Sequence, residues 1–222
     1  MKRMPIIPDI RGNLRKNIVK VPEIIETCSG IRIFGRLLKS FLFSTDVAII
    51  RNTNADAIIA VYPFTPQPLI THALILAADK PLFCGVGGGL TAGQRTIEIS
   101  IDADFQGAMG VILNKPASNS LIKELKKKLE IPVVITIVSM KDDLKGRIKS
   151  GVDILNVSGA ENTPEIVKMI RLISAEIPVI ATGGKTDETI LKTIQAGANA
   201  ISYTPPTTGE LFKNIMIKYR SK

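Results

Sequence analysis

The chain has 222 residues, 45% hydrophobic and 22% charged, with a formal net charge of +9. That length and balance fit one globular domain with a large core, and they argue against a disordered or fibrous chain. Two cysteines, Cys28 and Cys84, sit far apart, so a reduced cytoplasmic setting is the expectation. No apolar run is long enough to span a bilayer, and Met1-Lys2-Arg3 is not followed by a signal-peptide core.

The charge is uneven. Residues 1–39 carry nine of the 29 basic residues and only three of the 20 acids. Such an arm suits nucleic acid or phosphorylated ligands, although a solvated basic surface is the commoner meaning. Within it, Pro22 to Gly30 has the pattern of a short helix, with Ile24, Ile25 and Cys28 on one side. It is expected to close one end of the fold or to pack beside the first strand.

From residue 40 onward, short apolar runs alternate with helical text. The runs are 40–45, 57–63, 81–87, 107–114, 132–139, 153–158, 178–183 and 199–204. Eight such units imply a parallel sheet closed on itself, an α/β fold of the (β/α)8 TIM-barrel type. Residues 1–39 form a short N-terminal helical extension to a single domain over 1–222, with the eight units over 40–222.

Helix starts are signalled at Thr65-Pro66, at Thr163-Pro164-Glu165, at Thr186 and at Thr207 or Thr208. Leu69, Ile70, Ala73 and Leu76 are expected on one buried face. Leu211, Phe212, Ile215 and Tyr219 are expected to face inward from the last helix. Ala196-Gly197 reads as a helix end. Lys126-Lys127-Lys128 is expected on a solvated helix face.

In barrels of this kind the reactive face lies at the C-terminal ends of the strands. Gly183 and Gly184 follow the seventh run and allow backbone N–H groups to approach an anion closely. The helix start near Thr186 adds a favourable dipole. With Thr182 and Thr204 they make a candidate phosphate site, the alternative being a tight turn that needs glycine for its geometry alone. Gly87 and Gly88 form a second glycine cluster after the third run. Together with Ser158, Gly159 and Tyr203 they are candidates to contact substrate. Gly85 begins a dinucleotide-like pattern, but Leu90 stands where its last glycine belongs.

Asp46 and Lys115, at the ends of the first and fourth runs, are candidates for proton transfer or charge neutralisation. Asn156 is a candidate to orient a substrate oxygen. The other meaning of each is a helix cap, a surface charge or a packed amide. Cys84 is read as a buried small hydrophobe, since His72, the single histidine, falls inside a helix. One histidine and two distant cysteines argue against a metal centre. Asp102 and Asp104, with Glu98, are read as a solvated turn. No metal and no cofactor is expected.

Residues 130–205 carry a resemblance. Ile177–Gly184 is similar to the seventh-strand phosphate loop of the ribulose-phosphate-binding barrels, and Gly197-Ala198-Asn199-Ala200-Ile201 to their approach to strand eight. That superfamily includes isomerases, epimerases, synthases and decarboxylases, so the resemblance implies a TIM barrel that binds a small phosphorylated metabolite. The Lys/Glu pair of its indole-glycerol-phosphate synthases and the Asp-x-Lys motif of its decarboxylases are not found here.

The chain, including 7–13 and 60–68, also looks like a group of bacterial barrel proteins labelled "hydrolase". Between that label and the superfamily's range, the resemblances imply hydrolase, isomerase or lyase chemistry. The alternative is a metabolite sensor, because the chain distantly resembles the glycerol-3-phosphate-responsive antiterminators, which bind RNA. Association with itself is a third possibility. Asp9 and Arg11 would join the site if the arm crossed its mouth.

Overall fold

The protein is described here by a computed structural model, which covers Pro8, Ile10, Gly12 and residues 18–220. A 3₁₀ helix at Glu23–Thr27 leads into two short antiparallel strands, β1 (Ile31–Ile33) and β2 (Arg36–Leu38). Eight strands follow, interleaved with eight helices. They are β3 (Ser40–Phe43), β4 (Ala57–Ala60), β5 (Leu82–Gly87), β6 (Gly110–Leu113), β7 (Val133–Ile137), β8 (Ile154–Val157), β9 (Val179–Thr182) and β10 (Ala200–Tyr203). The helices are α1 (Val47–Arg51), α2 (Pro68–Ala77), α3 (Gln94–Phe105), α4 (Asn119–Leu125), α5 (Leu144–Lys149), α6 (Thr163–Ile173), α7 (Asp187–Gln195) and α8 (Thr208–Arg220). β3 to β10 pair in parallel in chain order, and β10 closes on β3 through Ile201↔Ser40 and Ser202↔Phe41. The eight apolar runs are therefore the eight strands of a closed (β/α)8 barrel.

Side chains alternate across each strand, so the barrel sorts its residues into two cores. Leu42, Ile58, Cys84, Val111, Leu155 and Ile201 point outward and pack with helical residues such as Leu74, Ile97, Ile122, Ile166 and Ile190. Phe41, Ile59, Phe83, Ile112, Val134, Ile154, Ile180 and Ala200 fill the interior. Phe41 and Phe83 meet edge to face, ring centroids 5.3 Å apart. Gly110 makes room for them, since a Cβ there would lie 2.6 Å from the Phe83 ring.

Ile31, Ile33 and Leu38 belong to that interior cluster. The β1–β2 hairpin, absent from the sequence expectation, therefore plugs the barrel at the strands' N-terminal ends. Its turn is Phe34-Gly35, both with positive φ (44° and 82°), as a two-residue turn matched to strand twist requires. The 3₁₀ helix adds Ile25 and Cys28 to the outer core, beside α7.

Polar side chains fix the strand starts at this same end. The residue just before β4, β8 and β10 accepts the backbone N–H that opens the adjacent strand. Asp56 Oδ2 takes Ser40 N at 2.9 Å, Asp153 Oδ2 takes Val133 N at 2.7 Å, and Asn199 Oδ1 takes Val179 N at 2.9 Å. These bonds satisfy edge donors that the ladder leaves open and hold the register. Lys126 closes on Asp153 at 2.7 Å, so the first residue of the lysine triplet is an anchor rather than part of a solvated face.

Three helix expectations need correction. α2 starts at Pro68, after Gln67, and buries Thr71 and Leu74, while Leu69 and Leu76 are largely exposed. α8 buries none of its residues fully: Leu211 packs half-buried against the outer core as expected, but Phe212 and Tyr219 are 64% and 68% exposed. Asp102, Asp104 and Glu98 lie on α3 rather than in a turn. By contrast, Thr186 caps α7 in a reciprocal box with Thr189, and Gly197 follows that helix at φ 109°.

Candidate functional site

The C-terminal ends of the strands open into a mouth of about 280 Å³, lined by Phe43, Ile59, Val61, Ile112, Asn114, Thr136, Asn156, Ser158, Thr182, Ser202 and Thr204. The lining is divided. β7 to β10 contribute hydroxyls and an amide in two register pairs, Thr136↔Asn156 and Ser202↔Thr182. β3 contributes Phe43, and Val61 follows β4 directly. Asn156 Nδ2 lies 3.4 Å from Thr136 Oγ1, while Asn156 Oδ1 is buried without a hydrogen-bond partner. A buried acceptor left unpaired is costly, and a ligand hydroxyl or N–H would satisfy it.

Beside the mouth, at the ends of β9 and β10, lies a wider cleft of about 840 Å³. Its walls are Thr182, Gly184, Lys185, Ser202, Tyr203, Thr204, Pro205, Pro206, Glu210, Lys213 and Asn214. Neither Lys185 nor Lys213 has an ion-pair partner among the described residues. Pro205 and Pro206 carry no N–H, and Thr207 N donates to Glu210 Oε2 at 2.7 Å. The loop after β10 therefore offers the Thr204 hydroxyl rather than these backbone amides, and the cations come from Lys185 after β9 and Lys213 on α8. The Glu210 carboxyl is held below its ordinary range by the Thr207 N–H and hydroxyl.

On the other side of the mouth, the loops after β4 and β5 enclose a recess of about 160 Å³. Val61, Tyr62, Pro63, Phe64, Pro66, Gly85, Gly87, Leu90 and Asn114 are among its lining residues. Gly87 and Gly88 have φ of 120° and 107°, and a Cβ on either would lie 2.7 Å from a carbonyl oxygen, of Thr91 and Asn114 respectively. Tight turn geometry thus explains both glycines. The turn is closed by Gly88 N donating to Thr91 O at 2.8 Å.

The expected site residues divide accordingly. Asn156, Ser158, Thr182 and Thr204 meet at the mouth, Gly184 and Tyr203 line the wide cleft, and Gly87 lines the recess. Gly88 faces a separate hollow beside the start of α4. Gly183 N donates to Ser202 O at 3.4 Å, and a Cβ there would lie 2.8 Å from both Ile190 and Ile201. Gly159 N donates to Thr163 Oγ1 at 3.0 Å at the entry to α6.

Asp46 caps α1. Its Oδ1 accepts from Ala48 N at 2.8 Å and Ile49 N at 3.2 Å, and its Oδ2 accepts from the Thr208 hydroxyl at the start of α8. The Thr208 hydroxyl, foremost, and then those backbone N–H groups hold its carboxyl below the ordinary value. Lys115 pairs with Asp142 at 3.0 Å outside the mouth. Asp142 also accepts Val138 N at 2.9 Å and Ser139 N at 3.2 Å. Burial would raise that carboxyl, but these three partners lower it. Cys84 faces the helices, and burial pushes its thiol up to about 12. Asp9 and Arg11 lie outside the described residues.

Thr136, Ser202, Phe43, Val61, Lys185 and Lys213 were not anticipated. The first two could have been found by strand parity from Asn156 and Thr182, their register partners. Among the described residues no group of three His, Cys, Asp or Glu side chains is placed to hold a metal ion, and no helix is long and apolar enough to cross a membrane.

The closed eight-stranded parallel barrel places the protein among TIM barrels. No family model and no curated protein sequence matches the chain. Among solved structures it is similar to a thiamine phosphate pyrophosphorylase from Pyrococcus furiosus, with 19% identity, a TM-score of 0.58, and coverage of 75% of this chain and 85% of that one. A phosphoenolpyruvate phosphomutase from Streptomyces platensis subsp. rosaceus matches at 12% identity and TM-score 0.62, over 89% and 83%. The dihydrodipicolinate synthase of Aquifex aeolicus matches at 15% identity and TM-score 0.59, over 76% and 70%. At these identities the likeness is one of architecture.

Proposed function

We propose that the protein is a barrel enzyme acting on a small phosphorylated metabolite, with the phosphate in the cleft at the ends of β9 and β10. The observation that carries this reading is the convergence of the Thr182, Ser202 and Thr204 hydroxyls with Lys185 and Lys213 on one concave surface. Hydroxyl donors and ammonium groups are what a phosphoryl group takes in place of its water. Two of the three structural neighbours described above carry names that concern phosphorylated compounds, thiamine phosphate and phosphoenolpyruvate. Asn156 and Ser158 then hold the substrate's middle, and Lys185 and Lys213 stabilise charge at the phosphate end. Asp46 and Lys115 support the surrounding loops.

A thermal-shift screen with inorganic phosphate and a panel of phosphorylated metabolites tests the reading, because a ligand of the folded state raises Tm. Lys185→Ala and Lys213→Ala should each weaken binding on the order of tenfold or more, the scale of a lost charge-assisted hydrogen bond. No shift anywhere in the panel would overturn the phosphate assignment. Phosphorus NMR of a binding metabolite left with the protein then reports turnover directly.

One observation favours a second reading, a metabolite sensor. The mouth's lining contains no acid, lysine, histidine or cysteine. Tight binding without turnover would support it, and salt-sensitive retention of RNA by the basic segment 1–39 would extend it.

A further inference from the structure

The helical layer is joined where the barrel closes. β10 pairs with β3 in the sheet, and outside them the Thr208 hydroxyl at the start of α8 donates to Asp46 Oδ2 at the start of α1. Asp46 is fixed from its own side. Its Oδ1 holds Ala48 N and Ile49 N, and its N–H donates to Ser44 Oγ at 3.1 Å, just beyond Phe43 of the mouth. Its carboxyl lies below the ordinary value, so the acceptor is a carboxylate near neutral pH and the bond to Thr208 is charge-assisted.

Thr208 can make this bond because another residue caps its helix. Thr207 and Glu210 form a reciprocal box, with Thr207 N donating to Glu210 Oε2 at 2.7 Å and Glu210 N to Thr207 Oγ1 at 3.2 Å. Beyond that first turn α8 is lightly packed. It buries none of its residues fully, and Leu211 is half-buried against the outer core. Glu210, Lys213 and Asn214 share one helix face by their spacing, and that face lines the wide cleft. Pro205 and Pro206, in the loop before α8, have no N–H to donate. The position of Lys213 therefore depends on how the start of α8 is held. Lys185 differs, since it stands between β9 and Thr186, which caps α7 in a box of its own.

We infer that Asp46 and Thr208 are positioning residues for ligand binding: their bond sets the seat of α8 and so holds Lys213 over the cleft. This assignment rests on the phosphate reading of the same cleft and gives Asp46 a second role beside capping α1.

The test is a pair of double-mutant cycles, read by calorimetric titration of the intact protein with inorganic phosphate and with methyl phosphate. Thr208→Val removes the hydroxyl, whereas an Asp46 variant would also strip the cap from α1. Thr208 is exposed and the Thr207–Glu210 box remains, so the variant stays folded, as its melting curve checks. Thr208→Val should weaken phosphate binding about threefold to tenfold, up to the worth of one hydrogen bond. Thr208→Ser, which keeps the hydroxyl, should restore the parent Kd. In a Lys213→Ala background Thr208→Val should change Kd by less than about twofold, and in a Lys185→Ala background it should keep its whole effect. A general loosening of the fold would act alike in both backgrounds and would not be rescued by serine. Equal effects in the two backgrounds, a parent-like Kd for Thr208→Val, or a Lys213→Ala protein that binds phosphate as the parent does would overturn the positioning role alone. Failure of the parent to bind either phosphate would overturn it together with the phosphate reading.

Discussion

Gly183 and Gly184 show how one residue type serves two purposes in adjacent positions. Gly183 is required by packing between Ile190 and Ile201, and its N–H is already engaged in the barrel. Gly184 has φ 85° and lines the wide cleft. Gly183→Ala overpacks the β9–α7 contact and should cost about 1–3 kcal/mol, lowering Tm by several degrees in a chain of this size. Lys185→Ala should leave Tm where it is and remove the stabilisation by phosphate. Calorimetric melting of both variants with and without ligand separates the two roles, and a Gly183→Ala protein as stable as the parent would contradict the packing account.

Asp46 gives a residue-scale prediction with a pH sign. Its carboxyl lies below the ordinary 3.8 because the folded state donates to it. Its contribution is therefore present above that value and is lost as pH falls through the lower, folded one. Asp46→Ala should cost about 1 kcal/mol near neutrality, as cap removal does. The Tm gap to the parent should narrow below pH 3.8. A gap constant down to pH 2 would show that the charge is immaterial.

At the scale of elements, the barrel strands were legible because each is a compact, largely apolar run between helical segments, and because parity sorts its residues inside and out. The β1–β2 hairpin was not. Its strands are three residues long, too short for alternation to register, and its turn is Phe-Gly rather than Asn-Gly or Asp-Gly. Arg32, Arg36 and Lys39 drew attention to charge instead. Yet Leu38 is 2% exposed and belongs, with Phe41 and Ala57, to the plugged interior. Leu38→Ala should cost about 2–5 kcal/mol in denaturant melts. A loss under 1 kcal/mol would mean that the hairpin is not a plug.

The last helix errs in the other direction. Leu211, Phe212, Ile215 and Tyr219 have helical spacing, but periodicity reports an apolar face and not what covers it. The site followed the same logic. Thr182, Thr204 and Asn156 were visible as polar ends of apolar strands, whereas Lys185 and Lys213 come from a loop and a helix that only the closed fold brings together. Phe212→Ser and Tyr219→Ser should change stability by less than about 0.5 kcal/mol, while Ile166→Ala on the fully buried face of α6 costs about 2–5 kcal/mol. Equal losses at the three positions would show that α8 is packed in solution.

At the scale of the molecule, the barrel separates stability from binding. Its N-terminal end is closed by the hairpin and pinned by Asp56, Asp153 and Asn199, while its C-terminal end is open and uncharged in the middle. The lining of the mouth and the wide cleft includes no histidine or cysteine, the side chains whose ordinary ionisation falls nearest neutral pH. Glu210 is held in its ionised form by Thr207. The ligand itself must then supply the pH dependence of binding near neutrality. A phosphomonoester loses its second proton near pH 6, and the dianion is the form that two lysines hold best. Affinity should therefore rise from pH 5 to 7 along one inflection near 6 and then stay level to pH 8.5. It should also fall as salt is added, because the lysines are exposed. Titrating methyl phosphate across that range checks both. A second inflection above pH 7 would show that a further ionising group reaches the ligand, and a flat profile through pH 6 would show that the dianion is not what the cleft selects.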